Sequence, residues 1–229
     1  MAPVQLVHFS DILCVWAYAG QTILDKIVAK VGNDVSIDFH FCSVFADTEA
    51  KITERWKDRG GFKGYGNHVR DVAINFENLP IHHDTWTTTR PSSSASPHMF
   101  IKAIELVDAE QGNEPSNFSD QLSVLATKEV RTAFFEHAKD VSNWCVQREI
   151  AKDLGISFDV IISKIESGEA YAKLASDYQL SQIMNIEGSP TYVLNEGRQK
   201  LFGNVSYEII LANVEELLTS SHSESASMC

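Results

Sequence analysis

Residues Leu6 to Gln21, LVHFSDILCVWAYAGQ, limit the possible folds of this chain more than any other stretch. An apolar run (Leu6, Val7, Phe9) stops at Ser10 and Asp11. A cysteine follows at Cys14, and a helix-compatible segment carrying Trp16 and Tyr18 then runs on to Ile27 and Val28. After a Gly32-Asn33-Asp34 turn, Val35, Ile37, Phe39 and Phe41 alternate with Ser36, Asp38, His40 and Cys42, the two-residue period of a strand. Strand, helix and strand in this order favour parallel pairing through a crossover helix. They also place a thiol at a helix start, where unpaired N–H groups and the positive end of the helix favour thiolate and hence reactivity.

The middle of the chain is less regular. Thr48 to Lys57 is weakly helical, RGGFKGYG (Arg59 to Gly66) reads as a flexible turn, and His68 to Phe76 reads as a short helix. Pro80 to Ser96, rich in Thr and Ser, reads as a loop. Three helices are then predicted. The first has Ser96 as N-cap and Pro97 at its first position and ends before Gly112. The second starts near Ser119, and the third lies between Ser142 and Gly155. Two more helical stretches separated near Gly168 end around Met184, and GSPTYVLNEGRQKLFG supplies a hairpin with an Asn195-Glu196-Gly197 turn. A closing helix runs from Ser206 to about Leu218.

This order predicts an α/β chain with a thioredoxin-like fold and an inserted helical domain. Residues 1–44 form its first half (β-α-β), 45–156 the insert, 157–218 the second half (α-β-β-α), and 219–229 a small, polar, disordered tail. With 19 basic against 31 acidic residues the net charge is −12, which argues against nucleic acid and anionic membrane surfaces as partners. No apolar run reaches membrane-spanning length and no secretory signal is evident. The four cysteines (Cys14, Cys42, Cys145, Cys229) are widely spread, which makes a reducing cytoplasm the default.

Three motifs carry a family resemblance. SDILCVWAY, the stretch FFEHAKDVSNWCVQREIAKDLGI (Phe134 to Ile156) and NIEGSPTYVLNE resemble segments of the DsbA-like thioredoxin superfamily, particularly its cytoplasmic FrnE-like branch. That branch carries D-x-x-C-P-W-C-Y at the strand-to-helix junction and a cis proline in the third segment. The resemblance implies Cys14 as nucleophile, Trp16 beside it, and Ser189 with a cis Pro190 as a backbone clamp whose N–H and C=O pair with peptide or glutathione. Val15 and Ala17 stand where the branch has proline and its second cysteine. A second thiolate resolves the mixed disulfide, so the site is a degenerate, single-cysteine one. The superfamily's kappa-class glutathione transferases and hydroxychromene-carboxylate isomerases use a single serine near this position and bind glutathione.

The expected function is therefore a thiol oxidoreductase acting through a mixed disulfide of Cys14 with glutathione or a protein or peptide thiol. No cofactor is expected to be bound, and glutathione is the candidate co-substrate. Two alternatives stay open, a glutathione-dependent transferase or isomerase and a non-catalytic peptide-binding module. Cys42, at the end of the second strand, is a candidate second thiol or simply a core cysteine. His82, His83 and Asp84 read as a polar loop rather than a metal site, because adjacent side chains on a helix or strand diverge and no zinc spacing completes the set.

Overall fold

A computed structural model describes residues 4–112 and 117–220. Its sheet has four strands in the order β2-β1-β3-β4, with β1 at Val4–Ser10, β2 at Val35–Phe41, β3 at Thr191–Leu194 and β4 at Gln199–Phe202. β1 and β2 are parallel, in register from Val4↔Val35 to Ser10↔Phe41, and the crossover is helix α1, Val15–Val31. β3 runs antiparallel to both β1 and β4. A mixed α/β thioredoxin-like fold results, with a helical insertion between β2 and β3.

Helices α2 (Thr48–Trp56), α3 (Gly61–Ala73), α4 (Ala95–Glu110), α5 (Leu122–Phe135), α6 (Trp144–Asp153), α7 (Phe158–Glu166) and α8 (Glu169–Ile183) lie between β2 and β3 in sequence, and α9 (Tyr207–Ser220) closes the fold. Alternation along β1 divides the core. Leu6 packs with Leu24, Ile27, Ile210 and Val214 on one face, whereas Val7 and Phe9 pack with Cys42 and Val193 on the other.

Several local expectations need correction. Arg59 to Gly66 is not a flexible turn, because helix α3 begins at Gly61. Its glycines serve close approach: a Cβ on Gly64 would sit 1.7 Å from the Arg59 carbonyl oxygen, and one on Gly66 would sit 2.8 Å from Thr87 Cγ2. Ser94, not Ser96, is the N-cap residue of α4, and Ser96 inside the helix donates to the Ser142 carbonyl at 3.2 Å. Ser119 falls in a single 3-10 turn, Phe118–Asp120, and α5 starts at Leu122. The expected Asn195-Glu196-Gly197 hairpin turn is found where it was read, as one 3-10 turn with Asn195 and Glu196 in left-handed conformations. Helix α9 runs past Leu218 to Ser220, and the rest of the expected tail, 221–229, lies outside the described residues.

A buried charged cluster fastens α4 and α8 to the edge strand β2. Asp177 accepts from Phe41 N–H at 2.9 Å, lies 2.7 Å from His40 Nδ1 and pairs with the buried Lys102 at 2.8 Å. Burial opposes the Asp177 charge, but the His40 hydrogen bond and the Lys102 cation outweigh it and hold the carboxyl below its ordinary range.

His8 of β1 is buried and stacks on Tyr192, 4.8 Å between centroids, yet among the described residues neither ring nitrogen has a hydrogen-bond partner. Burial, with the Arg131 cation adding to it, pushes its pKa down to about 3, so the imidazole is neutral. Replacing His8 with phenylalanine keeps the stacking and removes the unsatisfied groups. The expected result is a stabilisation of about 1–2 kcal/mol at pH 7.5, read from the urea midpoint. Below pH 6.5 the unfolded chain protonates His8 and the folded chain does not, so wild-type stability falls there and the advantage of the variant grows toward pH 4. A gain that stays constant with pH would count against this account.

Candidate functional site

Cys14 is the N-cap residue of α1, with extended backbone (φ −85°, ψ 118°). Its own N–H donates to the Asp11 carbonyl at 3.1 Å, and its carbonyl accepts from the N–H groups of Ala17 and Tyr18 at 3.1 and 3.0 Å. The turn Asp11–Cys14 thus delivers the thiol to the carboxyl end of the parallel strand pair. The Ser189-Pro190 bond is cis, and Cys14 Sγ donates to the Ser189 carbonyl at 3.2 Å. The Pro190 carbonyl in turn accepts from Gly203 N–H at 2.9 Å, which ties the clamp to the hairpin. Of the two backbone groups expected to be free at Ser189, the carbonyl is therefore occupied by the thiol proton. Deprotonating the thiol removes that hydrogen bond and releases the carbonyl.

The thiol is 5% exposed, and this changes its chemistry. Burial is the dominant influence and pushes its pKa above the ordinary range. The Ser189 hydroxyl and the N–H groups of Ala17 and Trp16 favour thiolate, and Asp11 disfavours it. The lowered pKa expected from the helix start is thus a correction: the N–H groups are in place, but desolvation outweighs them.

Asp11 organises the surroundings. It is fully buried, its own N–H donates to Ser189 Oγ at 2.8 Å, and its carboxylate accepts from Leu13 N–H, Phe45 N–H and Ser94 Oγ at 3.0, 2.8 and 2.8 Å. His98 of α4 accepts from Ile12 N–H through Nε2 at 3.1 Å. Burial, together with the Arg131 and Lys102 cations, holds its pKa well below the ordinary value, so it is neutral with its proton on Nδ1, facing Tyr178 Oη at 3.1 Å. Beneath the turn lies the buried guanidinium of Arg131, which donates to Ser10 Oγ at 2.9 Å and to Gln21. No carboxylate of the described residues pairs with it, and burial lowers its pKa to about 10 while Cys14, Tyr192 and Asp11 oppose that fall.

The sequence-predicted residues are placed as follows. Cys14, Ser189 and Pro190 come together. Trp16 is partly exposed and meets the edge of Phe76 at 6.2 Å. Cys42 is a free thiol 4.0 Å from the Gly188 carbonyl, buried with Val7 and Phe9, and burial with the nearby Asp11 pushes its pKa far up. His82, His83 and Asp84 do converge, their donor atoms lying within 4.8 Å of one another, because the segment turns there instead of continuing as helix or strand. His82 Nδ1 already accepts from Asp84 N–H at 3.2 Å. Sequence reading missed Ser94, His98 and Arg131; for His98 and Arg131 the available signal was a polar residue among the apolar positions of a helix, and for Ser94 it was a capping residue type just before α4.

A buried thiol at the start of the crossover helix, facing the residue before a cis proline, defines a thioredoxin-fold protein with one cysteine in its helix-start motif. A family model described as "Thioredoxin" matches residues 8–210, and the chain belongs to that family. Among curated relatives, the ClpXP adapter protein SpxH of Halalkalibacterium halodurans is 25% identical, over 94% of this chain and 68% of its own length. Among solved structures, a putative protein disulfide isomerase from Nitrosomonas europaea matches with a TM-score of 0.73 and 15% identity, covering 96% of this chain and all of that one. The cytosolic disulfide reductase DsbM from Pseudomonas aeruginosa, in a structure with GSH, matches at 0.61 and 17%, covering 96% of this chain and 98% of its own. No described helix is long and apolar enough to cross a membrane.

Proposed function

We propose that this chain is a single-thiol oxidoreductase in which Cys14 exchanges with glutathione or with a protein or peptide thiol. The observation that carries the reading is the 3.2 Å contact between Cys14 Sγ and the carbonyl preceding cis Pro190. In the step envisaged, Cys14 thiolate attacks one sulfur of a disulfide R–S–S–R′, a mixed disulfide Cys14–S–S–R forms, and R′S⁻ leaves. With Ala17 in place of a resolving cysteine, a second external thiolate, glutathione by class, regenerates Cys14 and carries R away as a new disulfide. The likeness to the GSH-bound structure of the cytosolic disulfide reductase DsbM supports glutathione in this role and a reducing compartment.

The test is peptide-mapped mass spectrometry after exposure to oxidised glutathione, with Cys145 and Cys229 changed to serine so that the exposed Cys145 does not obscure the result. One adduct is expected at Cys14, none in Cys14→Ser, and a rate still rising with pH above roughly 8.5, since burial raises this thiol. No adduct at any pH up to that range would rule the reading out.

The adapter relative favours a second reading, in which the surface around Ser189 and Pro190 holds a protein partner without exchange. Under that reading Cys14→Ala keeps full partner binding and the wild type shows no turnover.

A further inference from the structure

A cavity of about 510 Å³ adjoins the thiol clamp. One wall is Cys42, Ser43 and Val44, which follow β2 directly. A second is Lys51 and Arg55 on successive turns of α2. The third is the end of α8 and the segment from Asn185 to Gly188, which leads straight into Ser189.

The charges in this cavity are unbalanced. No ion pair to Lys51 or Arg55 forms among the described residues, and Lys51 Nζ instead lies 4.8 Å from the centre of the Phe45 ring. The two cations are four residues apart on one helix face, where like charges repel. Glu187 on the opposite lip is the one acidic residue in the lining, and its side chain is exposed to solvent. In a chain of net charge −12, two cations without an ion-pair partner on one wall give this cavity a local positive sign opposite to that of the whole. Lys51 also lies within electrostatic range of Asp11, Cys14 and Cys42, so the cavity and the thiol site share one field.

We infer that this cavity binds a carboxylate side chain of an acidic peptide, held between Lys51 and Arg55, while the adjoining backbone of the same peptide lies along Gly188 and Ser189. The inference rests on the proposed function for the identity of the reacting atom: the preferred thiol substrates are cysteines with Asp or Glu close by in sequence. Cavity and charge do not depend on it. A space of this size accommodates a small ligand or a few side chains, and two fixed cations give it a sign preference that an apolar pocket lacks.

The experiment has two independent arms. In the first, fluorescent peptides with serine in place of cysteine, flanked by Glu, Gln or Lys, are titrated against the full chain by anisotropy. The Glu peptide is expected to bind roughly tenfold more tightly than the Gln peptide at low salt, and to lose that advantage in 0.5 M salt or in K51E/R55E. K51Q/R55Q, checked by circular dichroism, guards against a charge reversal that merely disturbs α2. Equal binding of all three peptides, or a Glu preference untouched by both variants, overturns the inference. In the second arm, the cysteine forms of the peptides are presented as mixed disulfides and Cys14 adducts are counted. Acidic binding without adducts sinks the thiol reading and leaves the cavity standing. Adducts that form without any acidic preference sink the cavity alone.

Discussion

Changing Ala17 to cysteine is expected to turn a site that needs an external thiol to resolve its mixed disulfide into one that closes an internal disulfide and releases its substrate thiol unaided. Ala17 is three residues into the first turn of α1, is 1% exposed and lies under Cys14, its N–H donating to the Cys14 carbonyl at 3.1 Å. Side chains three apart on a helix have Cβ atoms roughly 5–6 Å apart, and a disulfide asks for about 3.5–4.5 Å, so the first turn must tighten slightly. The added sulfur also enters a packed region, at a cost of about 1–3 kcal/mol. In return, the introduced thiolate attacks the Cys14–S–S–R bond, forms an internal disulfide with Cys14 and expels RS⁻, a step the wild type lacks. The check is reaction of the reduced chain with a disulfide R–S–S–R in the absence of any free thiol: Ala17→Cys is expected to release about two equivalents of RS⁻ per chain and end as an internal disulfide, whereas wild type and Ala17→Ser release about one and keep the Cys14 adduct. If the variant keeps its introduced thiol free and accumulates the same adduct as wild type, the absent second cysteine is not what limits the site.

This site was legible in the sequence where chemistry and chain order coincide. The strand before Cys14, the helix after it, and Gly-Ser-Pro-Thr before a hairpin are local signals, and the fold brings them together because β3 pairs antiparallel with β1. What the sequence could not show was the depth of burial. A cysteine at a helix N-terminus reads as activated, yet packing by residues as distant as Phe45, Tyr65 and Phe135 seals the core beneath this one and raises its pKa. The glycines of α3 misled for a related reason. In sequence they signal flexibility, whereas in the structure they are contact points for Arg59 and Thr87, partners set by tertiary packing. Arg131 was obscured by its helix, since an arginine beside Val130, Ala133 and Phe134 reads as solvent-facing until α5 is docked under β1.

Asp11 joins those distant parts, and removing its carboxylate should have the largest effect on stability of any single change at the site. Its carboxylate binds the turn before Cys14, the chain after β2 at Phe45, and the start of α4 at Ser94, while its N–H holds the Ser189 hydroxyl. In Asp11→Ala the N–H groups of Leu13 and Phe45 lose a buried acceptor, which at pH 7.5 should cost roughly 3 kcal/mol. The dependence on pH separates this from a packing loss. Burial raises the Asp11 pKa from 3.8 to about 6, against the opposing pull of its three hydrogen bonds and the Lys51 charge. A raised folded-state value means the folded chain holds the proton more tightly than the unfolded one. The contribution is thus complete below pH 4 and is lost as pH rises through 6, a change on the order of 3 kcal/mol. The stability gap between wild type and Asp11→Ala should therefore be about twice as large near pH 4 as at pH 7.5, because the slopes from Asp177 and His8 are common to both proteins and cancel. Urea midpoints at half-unit intervals between those limits measure the gap directly. A gap of constant size would mean that Asp11 does not titrate in this window, and a gap widening toward alkaline pH would mean that its hydrogen bonds outweigh its burial.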